Sequence, residues 1–342
     1  YALSDRSLVL QRGLYSNAEM LEALDSVGLE STAEVVRDVL LRRPLQAITL
    51  SMGNAAEDEA QKTISAVIKR IRDSGVIAPK ENDEGSVEHV TPVLNVERPI
   101  ELRKSNPKPG DENGVAVVSV FAGVADVETR TILSLLGDII EPLAFEYLRT
   151  EKQLGYVVNA GASMMSNVMY LSAVVQGTKE PADKMEAHIE YVFTKLVPDA
   201  LAALSDEKFQ NYKDSLRSAM LEPPTSAGQE FAHSWKHVYE GARCFNFSSE
   251  TLGFLEELTS AAPLVEFYNG LVLPRDGPRR RFSVKYFAGE VPPRPSLEER
   301  ERGWREAGVP EAGLELMRRE YGPAVLLDRA DAGARRSLLG GG

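Results

Sequence analysis

The stretch from Glu141 to Val158 constrains this chain most, because it must turn a helix into a strand within a few residues. Pro142 suits the first turn of a helix, where a missing N–H costs nothing. Leu143, Tyr147 and Leu148 then share one face at i, i+4 and i+5. Gly155 is the natural residue for a left-handed turn position, and Tyr156-Val157-Val158 has strand composition. A cation, Arg149, is thereby set at a helix C-terminus and a phenol, Tyr156, at the start of a strand. Both can point at one spot. A guanidinium and a tyrosine hydroxyl together offer several hydrogen-bond donors, enough to grip a carbonyl or stabilise an oxyanion. Equally, Arg149 can balance the helix dipole while Tyr156 is a half-buried strand aromatic. Spacing alone leaves both readings open.

Composition narrows the class. The chain has 342 residues, 43% hydrophobic and 26% charged, which is ordinary globular usage and enough for two domains. A formal charge of −12 argues against nucleic acid as a partner, since phosphate binding needs a basic patch. No run of about 18 apolar residues exists to span a membrane. One cysteine, Cys244, excludes an internal disulfide framework and a cysteine-rich zinc site, and it favours a reducing, cytoplasmic compartment. A chain opening on Tyr1 without a signal pattern reads as a fragment, so a secreted parent protein stays open.

Taken in order, the chain predicts an α+β fold: a mixed or antiparallel sheet with helices packed on one face. Residues 1–80 read as the end of a truncated α+β domain. Ser16 and Ser31 have capping-box spacing, Leu45 to Met52 alternates as a strand, and Ile64, Val67, Ile68 and Ile71 line one helix face ending at Gly75. A Pro/Asn/Gly-rich stretch over 76–95 marks the boundary. Residues 81–289 read as a complete α+β domain. Its expected parts are strands at Ile100–Arg103 and Val115–Phe121, a helix from Val127 to Ile140, and a kink or restart at Pro142. A strand pair, Val157–Ala162 and Val168–Gln176, joins through a polar turn at Ser163–Asn167. Helices over Pro181–Leu201, Ser205–Met220 and Ser226–Tyr239, then two shorter ones, lead to a last strand at Phe282–Phe287. Residues 290–342 are rich in Pro, Arg and Glu without apolar periodicity, and read as a loose tail in which Leu314–Tyr321 can form a helix.

Other chemistry finds little support. The four histidines are His89, His188, His233 and His237. His233 and His237 are four apart on a predicted helix and can face one zinc ion, but Ser234 stands where H-E-x-x-H needs its Glu. A helix face with Trp235 buried between the two imidazoles is the plainer reading. His188-Ile189-Glu190 is weaker still. There is no G-x-S-x-G elbow and no G-x-x-x-x-G-K-S/T phosphate loop. Cys244, between Arg243 and Phe245, reads as a packed small hydrophobe rather than a reactive thiol, and Met164-Met165 as either a contact surface or core filler.

The string Leu148-Arg149-Thr150-x-x-Gln153-Leu154-Gly155-Tyr156-x-Val158 resembles the C-terminal-half signature of the insulysin/pitrilysin family, large clamshell zinc metallopeptidases with an inverted H-x-x-E-H motif. Met20–Asp25, Ala47–Asn54 and Tyr268–Leu271 fall in family-like order, so the likeness covers roughly residues 15–288. It implies the end of a third and the whole of a fourth clamshell domain. It further implies half of a metalloendopeptidase that degrades unfolded peptides in an enclosed chamber. The resemblance places zinc and its general base in the N-terminal half of the same protein; no H-x-x-E-H occurs here, so this chain alone is expected to be inactive. Arg149 and Tyr156 match the family's Arg and Tyr that hold the substrate carbonyl and stabilise the oxyanion, with Gln153, Leu154 and Gly155 supporting the turn. The expected partners are peptide substrates and the N-terminal half, with a homo-oligomer also open. The alternative is a non-catalytic homologue that binds peptides or serves as a scaffolding half.

Overall fold

Strands rich in Val, Ile, Phe and Tyr need neighbours for their backbone groups, and six of them find these in one mixed sheet. They are β1 (Ile100–Ser105), β2 (Gly114–Val124), β3 (Val157–Met165), β4 (Val168–Gly177), β5 (Arg281–Phe287) and β6 (Val325–Leu327). Their spatial order is β3-β4-β2-β5-β1-β6. The β3-β4-β2-β5 part is antiparallel, and β5-β1-β6 is parallel. This computed structural model describes residues 1–11, 13–38, 49–54, 56–73, 95–239, 245–331 and 338. The expected strand at Leu45–Met52, the helix end at Gly75, the 76–95 linker, His89 and Cys244 lie wholly or mainly outside them.

The chain divides into two units. The sheet belongs to the first, made of Tyr1–Tyr15, Thr91–Glu222 and Asn246–Gly342, so the division differs from the three consecutive stretches expected. Its helices are α1 (Ala2–Leu10), α5 (Val127–Ala144), α6 (Ala182–Tyr191), α7 (Val197–Ala202), α8 (Asp206–Leu221), α10 (Phe247–Glu257), α11 (Ala262–Val272), α12 (Leu297–Glu306) and α13 (Glu311–Tyr321). The second unit, Ser16–Val90 and Pro223–Phe245, has only helices among its described residues: α2 (Asn17–Leu24), α3 (Leu29–Val36), α4 (Glu57–Asp73) and α9 (Ala227–Tyr239). No described helix is long and apolar enough to cross a membrane.

Local signals account for most elements. Asp126 caps α5 by accepting from the Thr129 N–H, and Ser205 caps α8 in the same way. The periodic residues Ile132, Leu135, Leu136 and Ile139 are buried as the pattern requires. They join Leu171, Ala173 and Val175 of β4 in the larger core, between one sheet face and α5 to α11 of this unit. A smaller core on the other face unites Val9 and Leu10 of α1 with Leu102, Val117, Phe282 and Val284. Most helices thus cover one face and α1 adds cover to the second. The β3–β4 turn is tighter than expected: β3 runs through Met165, and only Ser166 and Asn167 turn, both with positive φ as a two-residue hairpin demands. Met165 is therefore buried in a strand, and Met164 packs against the larger core.

The tail expectation needs correction. Residues 290–331 carry α12, α13 and β6, and their contacts are among the most buried in the molecule. Apolar periodicity misses α12 because its inner side is Trp304 and Arg300 rather than an aliphatic stripe. Its one sequence signal is the capping box Ser296–Glu299. Trp304 packs with Ala187, Val309, Leu314 and Met317. Beside them, β1 and β5 turn charged alternate residues toward α6 and α12. Glu186 accepts from Arg281, from Ser283 Oγ at 2.6 Å, from Lys285 at 2.9 Å and from Arg300 at 2.7 Å. Arg279 bridges Glu190 at 2.8 Å and Glu320 at 2.6 Å with no side-chain exposure. Burial alone would push the Glu186 carboxyl up, yet Arg300, Lys285 and Arg281 hold it well below the usual carboxylate range.

Candidate functional site

The Arg149–Tyr156 turn begins where α5 loses its regular pitch. Instead of stopping at Pro142, the helix runs to Ala144 and continues as a π-helical segment, Phe145–Glu151. Pro142 has no N–H to give the ladder, and the wider turns follow directly after it. Arg149 lies in the last of these turns. The chain then leaves the helix with the Lys152 N–H on the Tyr147 carbonyl at 2.9 Å and the Leu154 N–H on the Leu148 carbonyl at 3.0 Å. Leu154 is 2% exposed and pins the turn into the larger core.

Glycine serves this turn differently from the expectation. The left-handed residue is Gln153, at φ 53°, and its side chain is exposed. Gly155 is required by crowding instead: an added Cβ would lie 2.0 Å from the Gln176 carbonyl oxygen. A Cβ on Gly177 would likewise lie 2.3 Å from the Leu154 carbonyl oxygen. Two glycines from distant parts of the chain let the turn and the end of β4 touch backbone to backbone.

On this platform the two expected side chains take defined partners. Arg149 is half-buried, and its Nη1 donates to the Gly155 carbonyl at 2.5 Å, spanning the turn. Tyr156 precedes β3 and is 57% exposed; its hydroxyl accepts from the Gln176 side-chain amide at 2.6 Å. Beneath them, the Tyr147 hydroxyl and His188 Nδ1 are 2.9 Å apart, and the Lys152 ammonium sits 5.2 Å from the centre of the Tyr147 ring. Burial raises the Tyr147 phenol pKa, with Tyr191 and Glu151 adding to the shift. Burial lowers the His188 pKa, and nearby Lys152 lowers it further. His188 therefore supports the turn as a hydrogen-bonding neighbour.

Among the described residues no group of three or more His, Cys, Asp or Glu is placed to hold a metal ion. In α9 His237 is buried and His233 exposed, with ring centres 5.6 Å apart. Trp235 is not buried between them; it is exposed and stacks on Phe231 at 5.7 Å.

The sequence model described as "PQQ synthase PqqF-like, C-terminal lobe domain 4" matches residues 135–235, which include the whole turn. A nardilysin-like protein of Arabidopsis thaliana is 27% identical over 260 residues, 75% of this chain and 24% of its own length. Human insulin-degrading enzyme is 28% identical over 160 residues, 46% of this chain and 15% of its own. The crystal structure of pitrilysin superposes with a TM-score of 0.70 over 98% of this chain and 32% of that one, at 17% identity. The chain is thus similar to C-terminal parts of insulysin/pitrilysin-family proteins. It spans about a quarter or less of these curated relatives. The α+β architecture read from the sequence is the one found in pitrilysin.

Gln176 and Gly177 also meet this turn. In sequence, Val174-Val175-Gln176-Gly177 resembles the family's strand end that closes this sheet, and nothing in it points to the site. Only the register that pairs Val157 with Gln176 brings them to Tyr156.

Proposed function

We propose that this chain is the substrate-holding part of a zinc metalloendopeptidase that cleaves unfolded peptides inside an enclosed chamber. Arg149 and Tyr156 bind the substrate backbone beside the scissile carbonyl and donate hydrogen bonds to the oxyanion that develops there. The observation that carries this reading is the turn itself. Leu154, Gly155 and Gly177 fix its backbone from below, while the phenol it presents is left 57% exposed. Arg149 spends one donor on Gly155, and a guanidinium offers five. Rigid backbone with outward donors is what electrostatic preorganisation requires.

In this reading the zinc and its general base lie in the N-terminal half of the same protein, and no step through the metal is derived from this chain. The residues of this chain orient the peptide and stabilise negative charge on its carbonyl oxygen. In the protein carrying both halves, Arg149→Lys or Tyr156→Phe lowers kcat by roughly 10²–10³ on a quenched fluorogenic peptide, the scale of one lost oxyanion donor. Unchanged turnover in both variants would sink the assignment. Absence of chelator-sensitive cleavage by the two halves together would move the reading to a non-catalytic, peptide-binding partner half.

A further inference from the structure

A tyrosine hydroxyl has one proton to donate, and its neighbour decides where that proton points. The neighbour of Tyr156 is Gln176, the residue before the last of β4. Its backbone is held on both sides, paired with Val157 of β3 and Val115 of β2. Its own carbonyl is the atom that forbids a side chain at Gly155. Tyr156 stands just outside the ladder, so strand alternation does not aim its ring; the Gln176 amide, donating at 2.6 Å, does. A donor occupying one lone pair of the phenol oxygen directs the O–H away from Gln176. Accepting that bond also polarises the O–H and strengthens its own donation.

We infer that Gln176 is a positioning residue: its side-chain amide, donating to the Tyr156 hydroxyl, turns the phenol proton outward toward the substrate carbonyl. The inference rests on the role proposed for Tyr156 and adds a residue to which nothing in the turn's own sequence points.

The chemistry of the two possible replacements makes the test directional. Leucine removes the donor and leaves the phenol free to rotate. Glutamate, an acceptor only when ionised, takes the phenol proton for itself and turns it away from substrate. The protein carrying both halves is assayed as wild type, Gln176→Leu, Gln176→Glu, Tyr156→Phe and the two double variants. Gln176→Leu is expected to lose a few-fold in kcat and Gln176→Glu about tenfold, the scale of one hydrogen bond, with KM unchanged. In the Tyr156→Phe background neither change has a further effect, because the proton it steers is gone. A second readout is independent of turnover. The Gln176 side-chain amide resonance, identified by its loss in Gln176→Leu, shifts in Tyr156→Phe. Wild-type kcat in both Gln176 variants alongside a slow Tyr156→Phe would overturn the inference and leave the proposed function standing. An amide resonance indifferent to Tyr156→Phe would overturn it as well. A Tyr156→Phe protein with wild-type turnover would remove both.

Discussion

At the β1–β5 side of the sheet, Arg279 is sealed between Glu190 and Glu320 with nothing left to solvent. At the β3 side, Arg149 meets one backbone carbonyl and Tyr156 one amide, and the phenol is largely open. The same sheet thus fixes charge in two ways. In the buried lattice most side chains are held by two or more opposite charges, as Glu101, Glu186, Glu190 and Arg279 are. At the turn the backbone is over-determined, by Leu154 in the core and by Gly155 against β4, while the side chains keep donors to spare. Rigid side chains suit a joint that fastens α6, β5, α12 and α13 together. Rigid backbone with open side chains suits a surface that meets something else.

Changes on either side should separate the two. The largest effect belongs to the lattice: Arg279→Met leaves Glu190 and Glu320 buried and short of a partner, and should cost about 3–5 kcal/mol in chemical denaturation. A loss below about 1 kcal/mol would show that the lattice relaxes around the gap. Acid should undo the same region. Glu186 and Glu190 have folded-state pKa values depressed below the ordinary 4.5, because the facing cations outweigh a burial term that alone would raise them. Such carboxylates contribute stability above the unfolded-state value, and it is lost as pH falls through the lowered folded-state value. The denaturation midpoint should therefore be flat above about pH 5 and fall steadily below it. A midpoint insensitive to acid would mean that the carboxylates are not held this way.

The turn should answer with smaller stability changes. Gly155→Ala forces its methyl into the Gln176 carbonyl, so the turn or the end of β4 must shift, at about 1–3 kcal/mol with turnover lost alongside. A fully active Gly155→Ala protein would show that the backbone contact is dispensable. The smallest change is expected for Tyr156→Phe, within about 0.5 kcal/mol of wild type although turnover collapses, since the residue is largely exposed and the hydroxyl's one hydrogen bond lies at the surface. A large loss of stability there would recast Tyr156 as structural and erase the contrast.

How far these regions are legible without a structure follows from where their signals lie. The turn is local. Its helix face, the strand run after Gly155 and the Arg/Tyr spacing occupy one stretch, and the resemblance to the insulysin/pitrilysin family rests on that stretch. Capping at Ser16, Asp126 and Ser205 and the stripe from Ile132 to Ile139 are local in the same sense. The lattice is not. Its partners come from 101–103, 183–190, 279–285, 294–300 and 320, and each charged residue read alone has the pattern of a solvated surface.

The sequence by itself determined the α+β class and the strands at 100, 115, 157, 168 and 282, because those depend on periodicity and spacing along the chain. Tertiary structure alone decided three things. Gly155 is needed for a neighbouring backbone rather than for its own φ. The Tyr156 hydroxyl meets the side-chain amide of Gln176, twenty residues away. The polar segment after 290 is built into the molecule as α12 and α13 rather than left loose. Each is a contact between distant residues, and the energy of such a contact appears only when both sides have been brought together and cut off from water.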